Sequence, residues 1–334
     1  MTKFSAGVAV SVFLAAVSLP VFAGPASVAV FVPGALQGSP TYELLDAGVR
    51  KAVAEVSGTT VKTIEGGYNQ AQWGEQIAAL AASGQYTYIV TSNPAMPEIA
   101  AKAAQAFPNQ RFLILESWSK NPSYATLMYN HRELAYLHGV LAGLVAADRK
   151  ASPILGLIAG QEYPDMNNAI LPGFLEGLKS VSPAGKVEFR VVGNWYDAAK
   201  GAELTKALIS QGAEVFLPIA GGANQGVVTA AKAAGKAVLS YDIDAYAQEP
   251  GTIIGSGAIL QDKAAYELTK AALAGKLTYG QPRVVGVKDG YLDYLTASDA
   301  YQKAVPAAVR KKFEAVVADF KSGKTHLDMP LPKN

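Results

Sequence analysis

The sequence predicts an α/β protein of two doubly wound, parallel-sheet lobes joined by a multi-crossover hinge. Three observations carry that prediction. Strand-length apolar runs alternate with amphipathic runs of about 10–16 residues, the pattern of a parallel sheet covered on both faces. A set of residues recurs about 128 positions downstream of itself. The chain has 334 residues, roughly twice the length of a common domain.

The first strand is Val28-Ala29-Val30-Phe31-Val32, ended by Pro33-Gly34. A continuous apolar run of this length fits a strand buried on both faces. Leu44, Leu45, Val49 and Val53 follow at helical spacing. Tyr88–Val90, Phe112–Leu115, Ile154–Ile158, Val187–Val192, Val215–Leu217 and Ala237–Leu239 read as further buried strands. The repeat aligns Tyr68-Asn69, Ala71, Glu75, Ala79, Leu80 and Gly84 with Tyr196-Asp197, Ala199, Glu203, Ala207, Leu208 and Gly212. Upstream, Leu45, Gly48, Val49 and Arg50 align with Phe174, Gly177, Leu178 and Lys179. The polar stretch Asp148 to Pro153 is the expected end of the first lobe. Returns are expected at Glu249-Pro250-Gly251 and Gly280-Gln281-Pro282. The first lobe is then 24–150 with 252–281, and the second 151–251 with 282–334. On this division the helix from Asp262 to Ala274 belongs to the first lobe and the strand Arg283 to Val287 to the second.

The N-terminus reads as a secretory signal peptide over residues 1–23. Lys3 precedes an apolar run from about Ala6 to Val17, and Val21-Phe22-Ala23 places small residues before a cut ahead of Gly24. A dozen apolar residues fall short of the about 20 that a spanning helix needs. The cysteine count is 0, so neither disulfides nor a lipidated cysteine are expected, and the expected compartment is the periplasm without an anchor, with release into the medium second. Charged residues make up 17% and the formal charge is +2, without the basic stripe that nucleic acid requires. The three histidines, His131, His138 and His326, form no zinc motif. Gly323-Lys324-Thr325 ends like a phosphate loop but has Ala318 in place of the leading glycine. Neither cofactor nor metal is expected.

Polar and aromatic residues cluster just past the strand ends, where the tips of a doubly wound lobe converge. The candidate ligand-binding residues are Gln37, Ser39 and Tyr42 after the first strand, Asn93, then Glu116 and Trp118, Trp195, Asn224 and Asp242. Ser39 and Asp197 also suit helix N-caps, and Gly221-Gly222 also suits a plain turn. Trp195 in a loop and Asp242 ending a buried strand are costly without partners.

The chain resembles the basic membrane protein family of ABC-transporter receptors, in particular its purine nucleoside receptor group. The matching segments are Pro33-Gly34 to Tyr42, Asn130 to Gly143, Pro172 to Gly177, Gly193 to Lys200, Ala220 to Val227 and Tyr241-Asp242-Ile243-Asp244. The resemblance implies a type I periplasmic-binding-protein fold that delivers a solute to an ABC permease in the membrane as a monomer. It further implies that Tyr42 and Trp195 sandwich a ring, that Asp242 takes ribose hydroxyls, and that Glu116 reads the ring edge where the family usually has Asp. Gln37-Gly38 replaces the family's acidic pair, and its sugar-binding lysine falls near Ile259. Gly38 to Glu43 and Thr91-Ser92-Asn93-Pro94 are more similar to riboflavin-binding members. Riboflavin is therefore expected ahead of purine nucleosides, with Trp118 and Trp195 as broad walls and Asp242 and Asn224 at the ribityl chain. The rival expectations are a sensory binding protein feeding a membrane receptor and a secreted nucleoside hydrolase. A hydrolase of that kind usually needs an aspartate cluster around calcium, whereas acids here stand singly at the tips.

Overall fold

The computed structural model describes residues 25–332, and the expected leader at 1–23 lies outside them. Two six-stranded sheets form the two lobes. The first contains β1 (Ser27–Val32), β2 (Thr60–Glu65), β3 (Tyr88–Ser92), β4 (Arg111–Leu115), β5 (Tyr124–Tyr129) and, from far downstream, β11 (Arg283–Val285). The second contains β6 (Ile154–Ala159), β7 (Lys186–Val191), β8 (Val215–Ile219), β9 (Ala237–Ser240), β10 (Ile253–Ile259) and β12 (Leu292–Tyr294). Their orders, β11-β5-β4-β3-β1-β2 and β12-β10-β9-β8-β6-β7, are the same order read twice. All neighbours are parallel except β12 against β10. The predicted fold class, two doubly wound α/β lobes, is what the chain adopts.

The helices explain why β1 is apolar throughout. Val28, Val30 and Val32 face a core with Leu45 and Val49 of α1 (Pro40–Ala54). Ala29 and Phe31 face the opposite core, with Trp73 and Ile77 of α2 (Gln70–Ala82). Short helices α3 (Met96–Ile99) and α4 (Ala101–Ala106) complete that face. The second lobe carries α5 (His131–Asp148), α6 (Leu171–Val181), α7 (Ala198–Ser210) and α8 (Asn224–Ala233). Helix α9 (Gln261–Leu273) returns to α1, while α10 (Asp299–Ala304) and α11 (Ala307–Lys321) cover the second sheet.

Glycines set the helix contacts, and they reveal the duplication. A Cβ on Gly48 would lie 2.2 Å from the Asp262 carbonyl oxygen of α9. One on Gly177, its partner in the repeat, would lie 2.0 Å from the Tyr136 carbonyl oxygen of α5. Each lobe thus packs its first helix, backbone to backbone, against a helix that enters from the other lobe's fifth strand.

The lobe boundaries differ from those expected. The chain leaves the first sheet at Asn130, not near Asp148–Pro153, because α5 packs on α6 in the second lobe. Asn130 hides its polarity: its Oδ1 accepts Glu133 N at 3.3 Å, and its own N donates to Val285 O at 2.8 Å. A crossover satisfied in this way shows no polar, solvent-facing composition. Strand β10 belongs to the second sheet, so the return falls at Leu260 instead of Glu249–Gly251. The strand at Arg283 pairs with β5 in the first sheet instead of joining the second. The chain then crosses again between Gly286 and Tyr291. The C-terminal tail returns to this hinge, where Asn130 Nδ2 donates to Leu327 O at 2.6 Å and His326 Nδ1 meets Glu133 Oε1 at 2.8 Å.

Candidate functional site

Parallel strands of both sheets end toward the space between the lobes, so their exit loops line it. On the first lobe, Asn93 follows β3, its Oδ1 accepting Ala95 N at 2.9 Å. Tyr42 stands in the first turn of α1 with its ring against Gly34, where a Cβ would come within 3.5 Å. Glu116 follows β4 with φ 55, one of two non-glycine residues in the left-handed region among the described residues. That conformation is uncommon outside glycine and costs about 1–2 kcal/mol.

A buried polar chain holds the Glu116 carboxyl in place. Tyr129 OH donates to Gln261 Oε1 at 2.5 Å, Gln261 Nε2 donates to Ser92 Oγ at 2.7 Å, and Ser92 Oγ reaches Glu116 Oε2 at 3.4 Å. Burial pushes the Glu116 carboxyl up to about 8, and the negative charges of Asp242 and Asp165 add to the effect. Its side chain still keeps 25% of its surface open. Burial also raises Asp242 to about 6.

The second lobe contributes Tyr163 and Asp165 after β6, Trp195 after β7, and Tyr241-Asp242 after β9. Trp195 lies flat over Gly160, where a Cβ would collide with the indole at 2.5 Å, and its ring is 6.2 Å from that of Tyr163. Its loop is fixed from both ends. Asn194 Oδ1 accepts Tyr196 N at 3.0 Å and Asp197 N at 2.8 Å, while Gly222 N donates to Trp195 O at 2.8 Å. The indole remains 42% exposed. Asp165 precedes a π-helical turn at Met166–Ile170, an irregularity found often at functional sites.

His131 closes the back of the site at the first crossover. Tyr241 OH donates to His131 O at 3.2 Å, so the 3.2 Å contact with His131 Nδ1 has the imidazole as donor. Nε2 faces Glu116 Oε1 at 3.9 Å. Burial lowers the His131 pKa while raising that of Glu116, so this is a contact between neutral groups and not an ion pair.

The nine sequence candidates divide between two surroundings. Tyr42, Asn93, Glu116, Trp195 and Asp242 all follow the ends of strands that point toward the interlobe space, with Tyr163 beside Trp195. Trp118 packs with Val284 on Met128, Ala169 and Met329, near the crossovers, and stays partly exposed. The Asn224 Oδ1 accepts Ala220 N at 2.8 Å as part of its own turn. Gln37 is exposed at a loop tip, and Ser39 takes the N-cap position of α1 without a side-chain cap bond. Asp197 caps α7 through Lys200 N at 2.9 Å. Sequence reasoning missed Tyr163, Asp165 and His131. The signal available was Tyr163-Pro164-Asp165 just after the strand ending at Ala159, the same rule that found the others.

Comparison with known proteins agrees with the architecture. Residues 26–324 match the family of PnrA-like ABC transporter substrate-binding proteins. The chain is 33% identical over 141 residues to the ABC transporter nucleoside-binding protein BmpA of Lactococcus lactis, covering 41% of this chain and 38% of that one. It is 28% identical over 169 residues to a purine-binding protein of Brucella abortus, covering 50% and 47%. The matched region is 38–64% of the length of these and the other curated relatives. Among solved structures, a solute-binding protein of an Aeropyrum pernix ABC transporter system superposes with a TM-score of 0.78 at 21% identity, over 92% of this chain and 94% of that one. A transcriptional activator of the comK gene from Bacillus halodurans gives 0.73 at 21% identity, over 90% and 99%. These likenesses show the two-lobed solute-binding fold.

Proposed function

Because the chain belongs to the PnrA-like family of ABC transporter substrate-binding proteins, we propose that it captures an aromatic, nucleoside-like solute between its lobes and presents it to a membrane permease. One observation carries the reading: Glu116 of the first lobe lies 3.9 Å from His131 Nε2, and His131 Nδ1 meets Tyr241 OH of the second lobe at 3.2 Å, so strand-end loops of both lobes come together at one place. A solute held there touches both lobes at once. In this reading Tyr42 and Trp195 take the two faces of the ring, Glu116 reads its edge and Asp242 accepts hydroxyl hydrogen bonds. The named functions of the Lactococcus and Brucella relatives favour a purine nucleoside.

Riboflavin is the second reading, supported by the loop from Gly38 to Glu43 and by Thr91-Ser92-Asn93-Pro94. Calorimetric titration with inosine, adenosine and riboflavin decides between them, and the absorption spectrum of the freshly purified protein adds an independent check. Tight binding of a nucleoside with no visible absorption supports the first reading, while a yellow protein supports the second. Failure of all three to bind overturns both.

The proposed compartment is the periplasm, after removal of a leader at Ala23. No helix among the described residues is long and apolar enough to cross a membrane. Mass spectrometry of the mature protein should find Gly24 first. Incubation with nucleosides should release no free base, because the proposed role is capture without chemistry.

A further inference from the structure

Each of the two exchanged helices begins on a buried polar side chain, and both of these bear on the Glu116 carboxyl. Gln261 opens α9 and His131 opens α5; they are 0% and 3% exposed. On the Gln261 side the proton directions follow from the amide. Its Oε1 can only accept, from Tyr129 OH at 2.5 Å, and its Nε2 can only donate, to Ser92 Oγ at 2.7 Å. Ser92 is left to donate its own proton to Glu116 Oε2 at 3.4 Å. Oε1 is then the carboxyl oxygen without a hydrogen bond among the described residues, and it is the one that faces His131.

On the His131 side, Tyr241 OH donates to the His131 carbonyl oxygen and accepts from Nδ1, both at 3.2 Å. The Tyr241 ring stacks on the imidazole at 6.1 Å and the Tyr129 ring meets it edge-on at 6.4 Å, which fixes its plane. Burial holds the imidazole neutral. A neutral ring with its proton on Nδ1 carries a lone pair on Nε2. That nitrogen has no hydrogen-bond partner among the described residues, in a side chain 4% exposed. It stands 3.9 Å from Glu116 Oε1, too far for a direct bond, yet one group at about 2.9 Å from each fits between them. A buried acceptor without a donor is costly.

We propose that His131 is a specificity-determining residue whose Nε2 accepts a hydrogen bond from a ring N–H of the solute, so that the cleft prefers rings with an N–H at their edge. This rests on the solute-capture reading and narrows its substrate class. Glu116 Oε1 takes the neighbouring atom of the same edge. A ring of similar shape without the N–H leaves the buried nitrogen unpaired, and that penalty is the source of the selectivity. His131 belongs to a crossover and not to a strand-end loop, so the side chain that reads the ring edge also joins the lobes.

The test uses the purified protein with inosine, which has a ring N–H, and purine riboside, which has the same ring system without one. Calorimetry should find inosine bound on the order of 10- to 100-fold more tightly. His131→Phe, with its melting temperature checked, keeps a planar ring without the acceptor and should shrink that preference about tenfold. An equal loss for both ligands describes a merely structural role and overturns the proposal. Nitrogen-15 spectra of the wild-type protein need no substitution. The His131 ring, identified among the three histidines by its contact with the Tyr129 ring, should carry its proton on Nδ1. Inosine should shift its bare Nε2 toward the hydrogen-bonded range, and purine riboside should not. A proton on Nε2, or a signal that inosine leaves in place, overturns the proposal. If inosine and purine riboside bind alike, the N–H preference falls and nucleoside capture stands. If riboflavin alone binds, the nucleoside reading falls and 3-methylriboflavin, which lacks the ring N–H, decides the rest. Weaker binding of the methylated flavin, with the preference shrinking in His131→Phe, upholds the proposal, and a ratio of about 1 overturns it. Binding of no probe overturns both.

Discussion

Glu116 combines a left-handed backbone, a buried carboxyl and two acidic neighbours, each of which lowers stability. Such strain persists where the surroundings hold it, and it gathers at binding sites. Glu116→Gly should therefore raise the melting temperature while weakening solute binding, and a lowered melting temperature would remove the strain argument. The carboxyl also sets a pH dependence. With its folded pKa raised to about 8, the folded state binds more protons than the unfolded one from the ordinary carboxylate range up to that value. Stability should thus fall as pH rises from about 6.5 to about 8 and then level off. His131 and His138 are shifted down, so they act with the opposite sign, below about 6.5. Denaturant titrations across this range should show the decline, and Glu116→Gln should flatten it. At Trp195 a stacked ring gains about 1–3 kcal/mol, so Trp195→Ala should cost roughly 10- to 100-fold in affinity with the fold intact. Asp242→Asn should fall between wild type and Asp242→Ala for ligands with sugar hydroxyls, and calorimetry with and without the sugar checks this.

Among the helices, one substitution should change sign with its surroundings. Gly74 lies in α2, where an added Cβ would make only an ordinary van der Waals contact, 3.6 Å from the Ile99 carbonyl oxygen. Gly74→Ala should stabilise by about 0.5–1 kcal/mol through helix propensity. Gly226 lies in α8, where a Cβ would come within 1.7 Å of the Ala198 carbonyl oxygen in α7. Gly226→Ala must push two backbones apart and should cost about 1–3 kcal/mol or more. Urea denaturation of the two variants measures both, and equal effects would mean that the α7–α8 contact yields freely. The C-terminal tail is the other element with a defined task. Glu133 is 3% exposed and accepts Val287 N at 3.0 Å as well as His326, so it ties two crossovers and the tail to one carboxylate. Removing residues 326–334 should lower the melting temperature while both sheets persist by circular dichroism.

The whole molecule is one β-α unit order used twice, with α5 and α9 exchanged between the lobes. Three strands of chain cross the hinge, and the equivalent buried residues His131 and Gln261 begin the two exchanged helices. A solute that touches both lobes binds the closed arrangement and should raise the melting temperature by mass action, worth about 2.7 kcal/mol at a hundredfold excess over Kd. Small-angle scattering with and without adenosine should show a smaller radius of gyration in its presence. An unchanged radius with bound ligand would describe a preformed pocket instead.

The apolar runs, the glycines and the repeat determined the fold class, because two-sided burial of a parallel strand and backbone contact at a glycine leave marks in local sequence. Rules about loops after strand ends reached Tyr42, Asn93, Glu116, Trp195 and Asp242 for the same reason, since parallel topology sends those loops to one side. Edge strand β2 escaped notice because exposed residues, Thr60, Lys62 and Glu65, interrupt its half-buried ones. The crossovers were also hidden, because Asn130 and Leu260 bury their backbone groups against a distant strand and carry no surface composition. The same rule about loops extends to Tyr163 and Asp165 after the strand ending at Ala159, whereas only the tertiary structure decided that Trp118 packs on Met128, Ala169 and Met329 and that His131 joins the site from a crossover. Both outcomes depend on which surfaces meet when two lobes pack, a contact between residues far apart in the chain that no short window of sequence contains.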